Sequence, residues 1–247
     1  MPAVQDPSDA ALLVQWPLPQ PWPELSDGLR LGVMASGQGS NFEALVRACR
    51  EGPLQAAEVR LLVVNNPGCG AEQRARRLGV PCTLVDHRSH DSREALDRTL
   101  IATFEQAGVD LVVMAGWMRI VTPVLVEAFP QRLVNIHPSL LPSFRGLDAV
   151  GQALRTGVRL TGCTAHLVEP EVDSGPILVQ AAVPVHSDDN HDSLTARIQR
   201  QEHRILPLAV ALAASRLRDK TAAAAAPWPA PETPSGSGTE RPGRPGP

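Results

Sequence analysis

The stretch Leu29-Arg30-Leu31-Gly32-Val33-Met34-Ala35-Ser36-Gly37-Gln38-Gly39-Ser40-Asn41 passes from an apolar run into a glycine turn. Residues 29–35 read as a strand, and the apolar residues at 42, 45, 46 and 49 recur at helical spacing. A strand feeding a helix through glycines is the opening unit of an α/β fold. The pattern continues outward. Residues 59–64 read as a second strand, 71–78 as a second helix and 80–85 as a weaker third strand. Asp91 and Glu94 resemble a capping box, opening a helix that runs to about residue 107. Short apolar runs at 111–114 and 133–136 suit strands buried on both faces. This order predicts a mostly parallel, twisted sheet flanked by helices.

Beyond His137 the pattern changes. Residues 148–156 look helical, 161–168 and 177–185 look like strands joined by a polar loop, and a helix runs from 192–193 to 217, with Pro207 kinking or splitting it. Residues 1–28 read as a loose, proline-rich extension, 29–218 as the working domain and 219–247 as a disordered tail. The formal net charge of −3 gives no reason to expect nucleic-acid or membrane binding. No apolar run approaches the ~20 residues that cross a bilayer. The proline-rich start does not resemble a secretory signal. The four cysteines, Cys49, Cys69, Cys82 and Cys163, have no metal-type spacing, so all four are expected to be reduced, buried residues of a cytoplasmic protein.

Glycines at 37 and 39 let backbone approach a ligand, and free N–H groups at a helix start favour an anion. A purely steric turn remains open beside that reading. A dinucleotide fingerprint would place a third glycine where Phe42 stands, and a triphosphate loop would need a Lys-Ser or Lys-Thr pair. Neither is present, so one small phosphate is the better expectation. Val134-Asn135-Ile136-His137-Pro138 ends a strand, and ligands of open α/β sheets bind beyond the carboxyl ends of strands. Asn135 and His137 flank Ile136 and would project to one side of an extended chain. They suit chemistry, or equally a satisfied loop end. Asp173, before Ser174-Gly175, reads by itself as a turn residue.

Taken in order, Gly39-Ser40-Asn41, Ala115-Gly116-Trp117-Met118-Arg119-Ile120, Asn135-Ile136-His137-Pro138-Ser139-Leu140-Leu141-Pro142 and the stretch from Gly162 to Gly175 resemble the phosphoribosylglycinamide formyltransferase family. The resemblance implies a formyltransferase-type, Rossmann-like fold. It implies transfer of the formyl group of 10-formyltetrahydrofolate, a co-substrate, to the amine of glycinamide ribonucleotide in purine (IMP) synthesis. On the family's catalytic positions fall Asn135, His137 and Asp173. Its phosphate cradle falls on Gly39, Ser40 and Asn41, and a ribose-contacting acid on Glu202. Folate positions fall on Arg93, Met118, Arg119, Ile120, Val121 and Asn135, with Val126 and Leu133 lining the apolar pocket and main-chain groups of 168–173 holding the pterin. No metal is implied, and the partners are small molecules acting on a monomer or homodimer. Many members read Pro-Gly-Leu-His where this chain reads Arg145-Gly146-Leu147-Asp148.

Two related activities compete with this reading. Methionyl-tRNA formyltransferase would add a basic C-terminal domain, where this chain has an alanine- and proline-rich tail. Formyltetrahydrofolate deformylase tends to carry an N-terminal regulatory domain and His-His where His137-Pro138 stands.

Overall fold

The computed structural model describes residues 15–16, 25 and 28–218. The strands are β1 (Gln15–Trp16), β2 (Leu29–Ala35), β3 (Ala57–Val64), β4 (Cys82–Leu84), β5 (Leu111–Met114), β6 (Leu133–His137), β7 (Leu160–Leu167) and β8 (Ile177–Pro184). The α-helices are α1 (Ser40–Glu51), α2 (Gly70–Leu78), α3 (Arg93–Gln106), α4 (Pro123–Ala128), α5 (Ala149–Thr156) and α6 (His191–Arg218). One eight-stranded sheet has the order β1-β8-β7-β6-β5-β2-β3-β4. Five neighbouring strands, β4 to β6 in that order, are parallel, while β7, β8 and β1 add antiparallel strands at the far edge. The mostly parallel α/β expectation holds.

Alternation along the strands builds two cores. Leu31, Val33, Leu111, Val113, Val134 and Ile136 pack with Phe42 and Leu45 of α1 and with Leu194, Ile198 and Ile205 of α6. Met34, Val63, Val112, Met114 and Leu133 pack on the other face with Leu96, Leu100 and Phe104 of α3, and with Leu125 of α4. Every residue of β5 is buried, because helices cover it on both sides.

Several expectations need correction. The cap of α3 is Ser92, whose hydroxyl accepts from Ala95 N–H at 3.0 Å, and not Asp91. The third strand is confined to Cys82–Leu84. Helix α4 was not anticipated, although Thr122 caps it and Pro123 opens it, a favoured helix start. Helix α6 runs through Pro207 without being split. Within the expected loose extension, Gln15–Trp16 pairs with Ala181 and Gln180 of β8. All four cysteines are free, but Cys82 is exposed and Cys69 half-buried. Residues 219–247, expected to be a disordered tail, lie outside the described residues.

Candidate active site

The glycine turn connects β2 to α1 at the carboxyl end of the sheet's parallel strands. Gly39 sits before α1 with φ of 74°, in the left-handed region where glycine is favoured. A Cβ there would stand 2.6 Å from the Ala71 Cα, so α2 presses directly on the turn. No side chain caps α1, leaving its first N–H groups for water or an anion. The turn is braced from α2 by Ala71 N–H on the Gly37 carbonyl at 3.0 Å and by Arg74 Nε on the Gln38 carbonyl at 2.8 Å. Arg74 also meets Glu43, which Arg47 and Arg77 join at 2.7 and 2.8 Å.

Asn41, at the start of α1, donates from Nδ2 to Glu202 Oε2 of α6 at 2.8 Å. The fold therefore brings two of the expected ribonucleotide residues, far apart in sequence, into direct contact. Both are buried, and Asn41 Oδ1 has no hydrogen-bond partner among the described residues. Burial pushes the Glu202 carboxyl up, and the Asn41 amide only partly offsets this.

Asn135 and His137 lie on β6 on the same side as Leu133, since Val134 and Ile136 belong to the opposite core. Strand β7 runs antiparallel beside them and sets His166 directly across from Asn135. The Asn135 Nδ2 lies 3.1 Å from His166 Nε2 and 3.5 Å from Asp173 Oδ1. His166 Nδ1 donates to the Leu167 carbonyl at 2.8 Å, which fixes the ring with Nε2 turned toward both Asn135 and Asp173. Asp173 Oδ2 lies 3.4 Å from His137 Nδ1, and Oδ1 lies 3.7 Å from His166 Nε2. The other nitrogen of His137, Nε2, donates to the Phe144 carbonyl at 2.8 Å.

Asp173 itself has φ of 51°, and its Oδ2 accepts from Gly146 N–H at 2.8 Å. Burial raises its carboxyl, but His166, the Gly146 N–H and His137 outweigh burial and hold it below the usual carboxylate range. It is therefore ionised at neutral pH. His166 and the backbone groups of Phe144 and Gly146 were not singled out from the sequence. The alternation of Cys163, Ala165 and Leu167 into one core was a legible signal that His166 faces the other way, but its neighbour strand was not legible.

The expected folate segment leaves β5 beside this cluster. Ser36 Oγ accepts from Met118 N–H at 2.8 Å, which ties the segment to the glycine turn. Met118 and Ile120 are large apolar side chains 69% and 51% exposed, while Val121 is buried and Arg119 exposed. Val126 and Leu133 belong to the core beneath them. At the end of the segment, Thr122 N–H donates to the buried Asp97 Oδ2 of α3 at 2.6 Å. Arg93 stands exposed in the first turn of the same helix and makes no bond to Asn135, His137 or Asp173. A cavity of about 370 Å³ lies elsewhere, at the opposite end of α1, lined by Val46, Cys49, Arg50, Val59, Arg60 and Val80. It contains none of the expected site residues.

The uncapped start of α1, the Asn135-His137-Asp173 cluster and the exposed 118–120 segment gather at the carboxyl end of the parallel strands, where ligands of open α/β enzymes bind. The chain belongs to the Formyl transferase family, whose sequence profile matches residues 29–210. It is 41% identical over 183 residues to the phosphoribosylglycinamide formyltransferase of Escherichia coli (strain K12), covering 74% of this chain and 86% of that protein. It is 45% identical over 184 residues to the trifunctional purine biosynthetic protein adenosine-3 of Drosophila melanogaster, covering 74% of this chain. The chain spans only 14% to 18% of the length of such trifunctional relatives. Among solved structures, glycinamide ribonucleotide transformylase 1 from Symbiobacterium toebii matches with a TM-score of 0.73 at 44% identity, covering 76% of this chain and 88% of that one. No described helix is long and apolar enough to cross a membrane.

Proposed function

We propose that this chain transfers the formyl group of 10-formyltetrahydrofolate to the amine of glycinamide ribonucleotide. The observation that carries the reading is the convergence of Asp173 on Asn135 and His137, three residues from two distant segments, beside the exposed apolar Met118 and Ile120. Met118 and Ile120 suit the flat faces of the folate's ring systems. The free amides of α1 with Gly39, Ser40 and Asn41 suit a ribonucleotide phosphate, and Glu202 suits ribose hydroxyls.

In the reaction the substrate amine forms a C–N bond to the formyl carbon, the bond from that carbon to the folate nitrogen breaks, and one proton passes from the amine to the folate nitrogen. Negative charge develops on the formyl oxygen. The Asn135 N–H that now makes a long 3.5 Å contact to Asp173 can turn to that oxygen at little cost. His137 Nε2–H can exchange the Phe144 carbonyl for the same oxygen. Ionised Asp173 orients His137 through Nδ1 and, with a water, accepts and returns the travelling proton. Arg93 and Arg119 complete the site by attracting the folate's acidic end. No step in this scheme requires a metal, and the small-molecule substrates act on a cytoplasmic monomer or homodimer.

The test is an assay of purified protein with 10-formyltetrahydrofolate and either glycinamide ribonucleotide or water as acceptor. Turnover that depends on the ribonucleotide is expected. Folate product forming equally without it would sink the reading.

A further inference from the structure

The two loops that meet over the catalytic cluster are fastened to each other at one exposed point. Residues 143–148 follow β6 and residues 168–176 connect β7 to β8. The first loop acts as a strap. Its Phe144 carbonyl accepts from His137 Nε2 at 2.8 Å, and its Gly146 N–H donates to Asp173 Oδ2 at 2.8 Å. Backbone groups two residues apart in one short segment thus hold both members of the His-Asp pair, whose facing atoms are 3.4 Å apart. A small displacement of the strap would release both together.

The strap is also under backbone strain. Phe144 and Asp148 both have φ of 55°, and Asp173 on the facing loop has φ of 51°. None is glycine, and the left-handed region is disfavoured for the phenylalanine, more mildly for the two aspartates. Something must therefore oppose relaxation. Between Phe144 and Gly146, Arg145 reaches across and donates from Nη1 to Glu171 Oε1 at 3.0 Å. Glu171 lies two positions before Asp173 on the facing loop. On the strap's other side Gln152 Nε2 of α5 donates to the Arg145 and Leu147 carbonyls at 3.2 and 2.9 Å. Arg145 is thus held at its main chain by α5 and at its side chain by the loop that carries Asp173.

We propose that Arg145 is a positioning residue whose ion pair with Glu171 latches the strap onto the catalytic pair. This rests on the assignment of His137 and Asp173 given above. The two side chains are 42% and 74% exposed, so the pair adds little to global stability. Its effect falls on a local equilibrium between a latched and a loosened strap, where a few tenths to about 1 kcal/mol shifts the population up to roughly fivefold. His137 Nε2 exchanges the Phe144 carbonyl for a substrate oxygen while Gly146 stays on Asp173, so the latch serves turnover by keeping the carboxylate facing His137 Nδ1.

The experiment compares Arg145→Gln, Glu171→Gln and the charge-swapped double variant Arg145→Glu/Glu171→Arg with the native protein. Melting temperature, kcat, KM for each substrate and the His137 ring NMR signals of ligand-free protein are measured. Each single variant should melt with the native protein, lose roughly three- to fivefold in kcat with the ribonucleotide KM unchanged, and show shifted or broadened His137 signals. The swapped pair should restore both kcat and the His137 signals. Single variants matching the native protein in kcat and in those signals would overturn the latch. So would a loss that the swap does not restore. A His137→Ala variant that kept native turnover would overturn the catalytic assignment instead, while the His137 ring signals of the Arg145 and Glu171 variants would still report on the latch.

Discussion

Glu202 is a carboxyl held at a cost. Burial raises its pKa, so the folded protein binds its proton more tightly than the unfolded chain does. For a carboxyl shifted upward, stability is lost as pH rises from the unfolded value, ~4.3, through the folded one. The Glu202→Gln variant keeps an oxygen acceptor for the Asn41 amide and removes the charge penalty. It should melt above the native protein at neutral pH while its KM for glycinamide ribonucleotide rises at least several-fold, checked by calorimetry and steady-state kinetics. A variant with unchanged melting and unchanged KM would remove Glu202 from both roles. At the catalytic cluster, His137→Ala and Asp173→Asn should each lower kcat by ~10²-fold or more, the usual size of a positioned proton-transfer or oxyanion group, with circular dichroism unchanged.

At the scale of elements, the junction of α3 with α4 decides where residues 118–121, proposed to bind folate, lie. Asp97 is 1% exposed, and its Oδ2 takes the N–H of Thr122, the residue that caps α4 and ends the 118–121 segment. Removing the acceptor strands a buried N–H, at a cost of roughly 1–3 kcal/mol. Asp97→Ala should therefore lose that much stability in urea unfolding. It should raise KM for 10-formyltetrahydrofolate and leave KM for the ribonucleotide near native, because the cradle is braced separately from α2. Equal loss for both substrates would mean that the junction supports the whole sheet end and not the folate segment alone.

For the whole molecule, acid stability follows from where carboxylates meet arginines. Burial pushes Glu43 up, but hydrogen bonds from Arg77, Arg74 and Arg47 outweigh it and hold the group at about 2. Arg197 holds Asp189 low, and Arg30 does the same for Asp110. For groups depressed on folding, the contribution is complete above the unfolded value, ~4.3 for glutamate, and disappears as pH falls through the folded value. Urea midpoints should drop steeply between about pH 4.5 and 2. The Glu43→Gln variant should start lower at neutral pH and fall less over that interval, because its arginines have no carboxylate to lose. An equally steep fall in the variant would assign the acid transition to other groups.

The sequence by itself determined the layered α/β fold, because apolar runs of strand length alternate with helical periodicity and no other arrangement buries both. It also placed Asn135 and His137 on one side of a strand, since alternation leaves no choice once Val134 and Ile136 go to the core. Helix α4 escaped notice because six residues offer too little periodicity, and only Thr122-Pro123 marked its start. The tertiary structure alone decided that Asp173 meets His137, that His166 stands opposite Asn135 and that Asn41 bonds Glu202. Each of these pairs joins segments far apart in the chain, and local propensity carries no information about which strand lies beside which or where a loop folds back. The same reason hid the pairing of Arg145 with Glu171, two exposed charges 26 residues apart.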